Sequence, residues 1–290
     1  MIPSSFDYTA PSSLDEALKL LQDLGDEAKI LAGGHSLIPM MKLRFAEPEH
    51  LIDLNNVSEL SYLKIDGDML KIGAMTREVE TEESSDVARY FPIFADVAKL
   101  IADPQVRNFG TLGGNLAHGD AANDQPAVML ALNASVEIAG LNGKRVVGID
   151  DFFYGFYATA VQEGEILSEI SIPIPKGRSG NAYHKVERKV GDYATGGVAV
   201  HLEFDEQGIC SKAGIGLTNV NPTPMRAVRS EAELVGTFLD DEAIASAAQY
   251  ASEDCNPSSD LRGDIDYKRH IIRAVTKKMI IKAKQRASNK

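Results

Sequence analysis

The chain is 290 residues long, 44% hydrophobic and 25% charged, a globular composition with enough length for two or three domains. A formal charge of −12 argues against a nucleic-acid or anionic-membrane binder. No stretch approaches the roughly 18–20 apolar residues of a membrane helix, and Met1-Ile2-Pro3-Ser4-Ser5 lacks a signal-peptide pattern, so a cytoplasmic protein is expected.

Ser13-Leu14-Asp15-Glu16 has the form of a capping box, and Leu14, Ala17, Leu18, Leu21 and Leu24 recur at helical spacing up to Gly25, which predicts a first helix. Short strands are predicted at 28–31, running into Gly33-Gly34, and at 51–54. Leu63 and Ile65, the turn Asp66-Gly67, then Leu70 and Ile72 read as a hairpin. Helices are predicted near 77–86 and 92–102, and strands at 135–138, 145–147 and 166–174. Pro175 to Gly180 is the best linker candidate. Three antiparallel strands (183–190, 197–204, 209–217) and helices at 227–236, 241–252 and 265–286 complete the chain. The predicted class is α+β, a mixed region followed by an antiparallel sheet with helices on one face. The last helix is basic: residues 268–290 carry nine Lys or Arg and no acid, on a body (1–266) with 21 basic against 42 acidic groups. Such a helix is either a solvated face or a patch for a partner subunit.

Two glycine pairs carry the chemistry. In Ala32-Gly33-Gly34-His35-Ser36, glycines after a strand let main chain approach a ligand, Ser36 can cap the turn at Leu37, and free amides suit an anion such as a pyrophosphate. Gly110-Thr111-Leu112-Gly113-Gly114-Asn115 reads as a second strand-to-glycine element with added side-chain hydrogen-bonding groups. The alternative for each is a plain turn. His118, Asp120 and Asp124 form a weak metal-ligand set whose alternative is a solvated loop. Lys42 as a surface ion pair, Tyr193 as a sheet aromatic and Met40-Met41 as core filler are equally open readings. There is no P-loop, GxSxG elbow or HExxH helix, and the nearest approach to GxGxxG, Gly214-Ile215-Gly216, opens no helix. Cys210 and Cys255, the only cysteines, cannot build a disulfide framework, a four-cysteine iron–sulfur site or a CxxC zinc site.

The segments AGGHSLIPMMKLR (Ala32 to Arg44) and TLGGNLAHGDAANDQPAVMLAL (Thr111 to Leu132) closely resemble the medium, flavin-binding subunit of the molybdenum hydroxylases, the family of xanthine dehydrogenase and aerobic carbon monoxide dehydrogenase. Ile101 to Gln105, Gly191 to Ala194 and Gly216 to Val220 are most similar to the carbon monoxide dehydrogenase branch, and the likeness covers effectively the whole chain. The resemblance implies a two-lobed FAD-binding fold of the vanillyl-alcohol-oxidase (PCMH) type over residues 1–176, with lobes 1–56 and 57–176, and a C-terminal domain over 177–290. It implies that Ala32, Gly33, Gly34, His35 and Ser36, with Thr111, Leu112, Gly113, Gly114 and Asn115, hold the FAD pyrophosphate without a covalent link. Asp124 would hydrogen-bond the flavin moiety, Ile101 and Leu167 would line the cofactor, and Lys185 and Tyr193 would lie by the ring.

On the same footing the chain is an electron-transfer subunit and needs no acid–base catalytic residue. Electrons would come from [2Fe-2S] clusters in an iron–sulfur small subunit, the substrate would react at molybdopterin in a large subunit, and the assembly would be a dimer of heterotrimers, cytoplasmic or peripheral at the inner membrane face. A quinone or cytochrome is the expected acceptor rather than NAD, because Tyr193 would cover one face of the flavin. Rival readings are the medium subunit of a xanthine, nicotine, aldehyde or N-heterocycle dehydrogenase, a free-standing FAD oxidase linked through His35, and a flavin-free structural subunit.

Overall fold

In the computed structural model, which describes residues 1–289, β1 (Asp7–Thr9), α1 (Leu14–Leu24), β2 (Ala28–Leu31), α2 (Leu37–Lys42) and β3 (His50–Asp53) build a small parallel sheet in the order β1-β3-β2. Leu14, Ala17 and Leu18 on one face of α1 bury against Ala28 and the central-strand residue Ile52, each large side chain contributing about 1.5–3 kcal/mol. The Ser13 hydroxyl accepts from the Glu16 N–H at 3.2 Å, as predicted. The Glu16 carboxylate instead takes the Ser12 N–H at 2.8 Å, so the reciprocal half of the capping box is shifted by one residue.

Next come β4 (Leu63–Asp66), β5 (Met69–Gly73), α3 (Glu78–Glu83), α4 (Ser85–Tyr90), α5 (Ile93–Ala98), α6 (Pro104–Phe109), α7 (Leu112–His118), α8 (Gln125–Ala131), β6 (Ser135–Gly140), β7 (Gly143–Gly148), β8 (Phe153–Gly155), β9 (Ala158–Thr159) and β10 (Ile166–Pro173). The strands form an antiparallel sheet, β4-β5-β10-β6-β7, and a separate β8-β9 pair. The single helix predicted near 77–86 is broken at Ser84, whose hydroxyl caps α4. The helix predicted at 92–102 stops at Ala98, leaving Ile101 and Ala102 in a turn with Ala102 at φ 42°. The second glycine segment departs furthest from its sequence reading. It follows α6 rather than a strand, and Gly113 and Gly114 sit in the first turn of α7, capped by Thr111.

The chain ends with β11 (Arg178–Glu187), β12 (Ala194–Phe204), β13 (Cys210–Thr218), β14 (Met225–Arg226), α9 (Val228–Leu234), α10 (Asp241–Asp254) and α11 (Ile265–Ser288). Arg178 to Gly180, read as linker from the sequence, are already strand. One face of this antiparallel sheet, including Val198, Val200, Leu202, Ile215 and Leu217, packs against α9, α10 and α11, as expected. The other face is covered by α8. A Cβ at Gly214 or Gly216 would stand 2.0 Å from the carbonyl oxygen of Ala131 or Ala127. Four helical residues rise about 6 Å and two strand residues about 6.7 Å, so the two glycines meet successive turns of one helix. Gly214-Ile215-Gly216 is thus the seat of α8. From the other side, Lys282 and Arg286 of α11 clamp Asp96 of α5 at 2.9 and 2.6 Å.

Candidate cofactor site

A cleft of about 870 Å³ runs between the first sheet, the helices and loops of the middle region and the C-terminal sheet. That is near the top of the roughly 300–1,000 Å³ range of small-molecule sites, room for an extended dinucleotide. One wall is the Ala32–Leu37 loop, which leaves β2 and turns into α2: the Ile38 N–H already donates to the Gly34 carbonyl at 3.0 Å, with Gly34 at φ 76°. Among the described residues, the main-chain N–H groups of Gly34, His35, Ser36 and Leu37 find no partner in the chain. Ser36 makes no side-chain cap bond either, which corrects its predicted role and leaves its hydroxyl available.

The facing wall is α7, and its main chain is fully committed. The Leu112 N–H donates to the Thr76 carbonyl, Gly113 to Ala74, Gly114 to the Thr111 hydroxyl and Asn115 to the Thr111 carbonyl. Only side chains on this wall remain free, and Asn115 Oδ1 is buried without a hydrogen-bond partner. The glycines of both pairs serve contacts inside the protein. A Cβ at Gly33 would stand 2.3 Å from the Phe109 carbonyl oxygen, and one at Gly113 would stand 2.5 Å from the Ala74 Cβ. One loop therefore offers an anion bare N–H groups while the other contributes Thr111 and Asn115 side chains. No arginine lines the cleft among the described residues. A set of main-chain donors beside a buried, partnerless amide oxygen fits the pyrophosphate and polar groups of FAD.

Deeper in, Asp124 and Lys185 form a buried ion pair at 2.8 Å, and the Tyr183 hydroxyl donates to the second Asp124 oxygen. Burial pushes the Asp124 carboxyl above its usual range, and Lys185 and Tyr183 draw it back only in part. Glu78, at the start of α3, is driven by burial up to about 8, and the Gln125 amide donates to its Oε2 at 2.6 Å. At the mouth, Asp192 pairs with Arg188 and Arg262 at 3.2 and 3.1 Å, and the Arg262 guanidinium lies 5.9 Å from the Tyr193 ring centre.

The structure brings Ala32, Gly33, Gly34, His35, Ser36, Ile101, Thr111, Gly114, Asn115, Asp124, Lys185 and Tyr193 onto this one cleft. Leu112, Gly113 and Leu167 do not line it: all three are buried, Gly113 against Ala74 and Leu167 in the core of the second sheet. Met40 lines the cleft while Met41 is core, and Lys42 is exposed with no ion pair among the described residues. No group of His, Cys, Asp or Glu suited to a metal is present among the described residues, so His118, Asp120 and Asp124 are not a metal set. His118 instead packs against Tyr157 with its ring tilted, centre to centre at 4.9 Å. Glu78, Tyr157, Tyr183 and Arg262 went unnoticed in the sequence, where nothing marks a helix-start glutamate or a strand tyrosine as part of a site.

A parallel βα lobe, an antiparallel sheet and a cleft with bare loop amides between them define a flavin-binding subunit of the PCMH type. The FAD binding domain of molybdopterin dehydrogenase matches residues 4–175, and the carbon monoxide dehydrogenase flavoprotein C-terminal domain matches residues 181–283. The chain belongs to this family of FAD-binding molybdenum hydroxylase subunits, an oxidoreductase family. It is 48% identical over 268 residues to the carbon monoxide dehydrogenase medium chain of Hydrogenophaga pseudoflava, covering 92% of this chain and 93% of that one. It is 45% identical over 289 residues to the medium chain of Afipia carboxidovorans, covering 100% of each. A solved carbon monoxide dehydrogenase from Hydrogenophaga pseudoflava superposes with a TM-score of 0.96 at 48% identity over 99% of each chain. Quinoline 2-oxidoreductase from Pseudomonas putida 86 superposes at 0.92 with 38% identity over 99% of each.

Proposed function

We propose that the chain is the FAD-carrying electron-transfer subunit of a carbon monoxide dehydrogenase, working between an iron–sulfur small subunit and a molybdopterin large subunit in a dimer of heterotrimers. The observation that carries this reading is end-to-end identity of 45–48% to two carbon monoxide dehydrogenase medium chains, combined with a cleft whose donors match the cofactor. FAD, when bound, supplies the redox chemistry, accepting electrons and releasing them to an external acceptor.

The chain's own residues would bind, orient and shield. The N–H groups of Gly34 to Leu37 and the Ser36 hydroxyl would donate to the pyrophosphate, helped by the Thr111 hydroxyl and the Asn115 amide N–H, with Asn115 Oδ1 left to accept from a donor of FAD and Ala32, Gly33 and His35 shaping the loop. Asp124, fixed by Lys185, would take a hydrogen bond from the flavin, and Ile101 and Tyr193 would bound it. Leu112, Gly113 and Leu167 would act from behind by packing. Such residues hold a cofactor without moving a proton to substrate. Both cysteines are buried, their thiols raised by burial to about 11 for Cys210 and about 12 for Cys255, so neither is a reactive thiolate.

Tyr193, exposed by 46% and backed by Arg262, would cover a flavin face that a nicotinamide needs, which favours a quinone or cytochrome as acceptor. No helix among the described residues is long and apolar enough to cross a membrane, and a cytoplasmic complex docked at the inner membrane face suits such an acceptor. Co-expression with the two partner subunits tests the assembly: one complex containing all three chains is expected, and a native mass showing only the free chain would sink it.

A further inference from the structure

An aspartate that opens a helix ordinarily turns its carboxylate onto the helix's free N–H groups. Asp124 opens α8 with helical dihedrals (φ −81°, ψ −40°) and makes no such bond. Both its oxygens are held from the third sheet instead, one by the Tyr183 hydroxyl and one by Lys185 Nζ at 2.8 Å. Tyr183 and Lys185 are alternate residues of β11 and so leave the strand on the same face. The hydroxyl can reach Asp124 because Gly197, which pairs with Lys185 in the next strand, has no side chain: a Cβ there would stand 2.7 Å from the tyrosine oxygen. Asp124 and Lys185 line the cleft, whereas Tyr183 does not and is only 1% exposed.

We propose that Tyr183 is a positioning residue of the FAD site: its hydroxyl, passing over Gly197, fixes the rotation of the Asp124 carboxylate so that the remaining lone pairs face the cleft. The inference rests on the reading of Asp124 as an FAD ligand. Without the hydroxyl the carboxylate keeps one donor and gains a competitor. Position 126 is proline and has no N–H, so the competing donor is the Ala127 N–H, the usual target of a helix-opening aspartate. Burial, followed by the neighbouring Asp124 charge, raises the Tyr183 hydroxyl well above 10, so it donates throughout the working pH range.

The test measures FAD release from the purified holoenzyme by the rise of free-flavin fluorescence on dilution, in Tyr183→Phe, Asp124→Asn and the double variant. Tyr183→Phe keeps the ring's packing and is expected to loosen FAD by about tenfold, the effect of one hydrogen bond to a charged group. Asp124→Asn is expected to loosen it at least as much, and the double variant no more than Asp124→Asn alone, since both act through one carboxylate. Gly197→Ala, which displaces the hydroxyl without removing it, should copy Tyr183→Phe and serves if that variant fails to fold. Wild-type FAD retention in Tyr183→Phe beside loss in Asp124→Asn would overturn the role of Tyr183 alone, as would losses that multiply in the double variant. Wild-type retention in Asp124→Asn would overturn the reading of Asp124 itself.

Discussion

Gly33 and Gly113 are glycine because the protein's own main chain comes within van der Waals reach of them, at Phe109 and at Ala74. Substitution there is therefore a lesion of the fold before it is a lesion of the site. Gly33→Val is expected to lose folded protein, as read by circular dichroism; a folded variant with full FAD would refute the packing account. Asn115→Ala should behave in the opposite way. Its buried Oδ1 has no partner among the described residues, so the FAD-free variant should unfold within about 0.5 kcal/mol of wild type, while flavin content falls. Glu78 allows a sharper test. With its carboxyl raised from 4.5 to about 8 by burial, the unfolded chain ionises it across that window and the folded chain does not. The folded state consequently loses roughly 1.4 kcal/mol per pH unit relative to a neutral residue. In FAD-free protein the melting-temperature advantage of Glu78→Gln should grow from pH 5 to 8 and then level off; a constant gap would show that Glu78 is ionised throughout. The glycine pairs and Asp124 were legible in the sequence because residue type and spacing mark them. Glu78 and Tyr183 were not, because their importance lies in a burial and a partner that only the folded chain creates.

At the scale of elements, α1 and the long strands followed from periodicity, since each presents one apolar face over several turns or residues. The stretch 104–131 did not. α6, α7 and α8 are six or seven residues each, too short for a period to repeat, and two glycines in the first turn of α7 suggest a loop. What makes α7 a helix is the Thr111 cap, and what fixes α8 is the seat at Gly214 and Gly216. The basic last helix likewise changes meaning in the structure. Lys282 and Arg286 bind Asp96, Lys268 binds Asp260, and Lys284 and Arg269 hydrogen-bond the carbonyls of Leu239 and Cys255. Most of its charge ties the helix to the body, leaving Arg273, Lys277 and Lys278 exposed. For Asp96, burial raises the carboxyl but Arg286 and Lys282 outweigh it and hold it below its ordinary 3.8. A lowered folded pKa stabilises above the unfolded value and is lost as pH falls through the folded one. Asp96→Asn should therefore destabilise by about 1–3 kcal/mol at neutral pH in urea unfolding, with the difference fading below about pH 4. A penalty that persists undiminished in acid would assign it to packing instead.

Across the whole molecule, the cleft is built from all three regions of the chain: its bare amides come from the loop after β2, Thr111 and Asn115 from the start of α7, Lys185 from β11 and Tyr193 from the β11–β12 connection. That convergence makes the chain a holder of FAD, and two cysteines are too few for a four-cysteine iron–sulfur site of its own to feed the cofactor. In the proposed complex, electrons cross a subunit boundary to reach it. The most direct test is anaerobic absorbance of the flavin after carbon monoxide is added, first to the complete complex and then to this chain alone with its FAD. Stoichiometric, acid-releasable FAD is expected, bleaching in the complex and staying oxidised in the isolated chain. A chain purified without flavin from an active complex, or flavin bleached by carbon monoxide with no partner subunit present, would contradict that expectation.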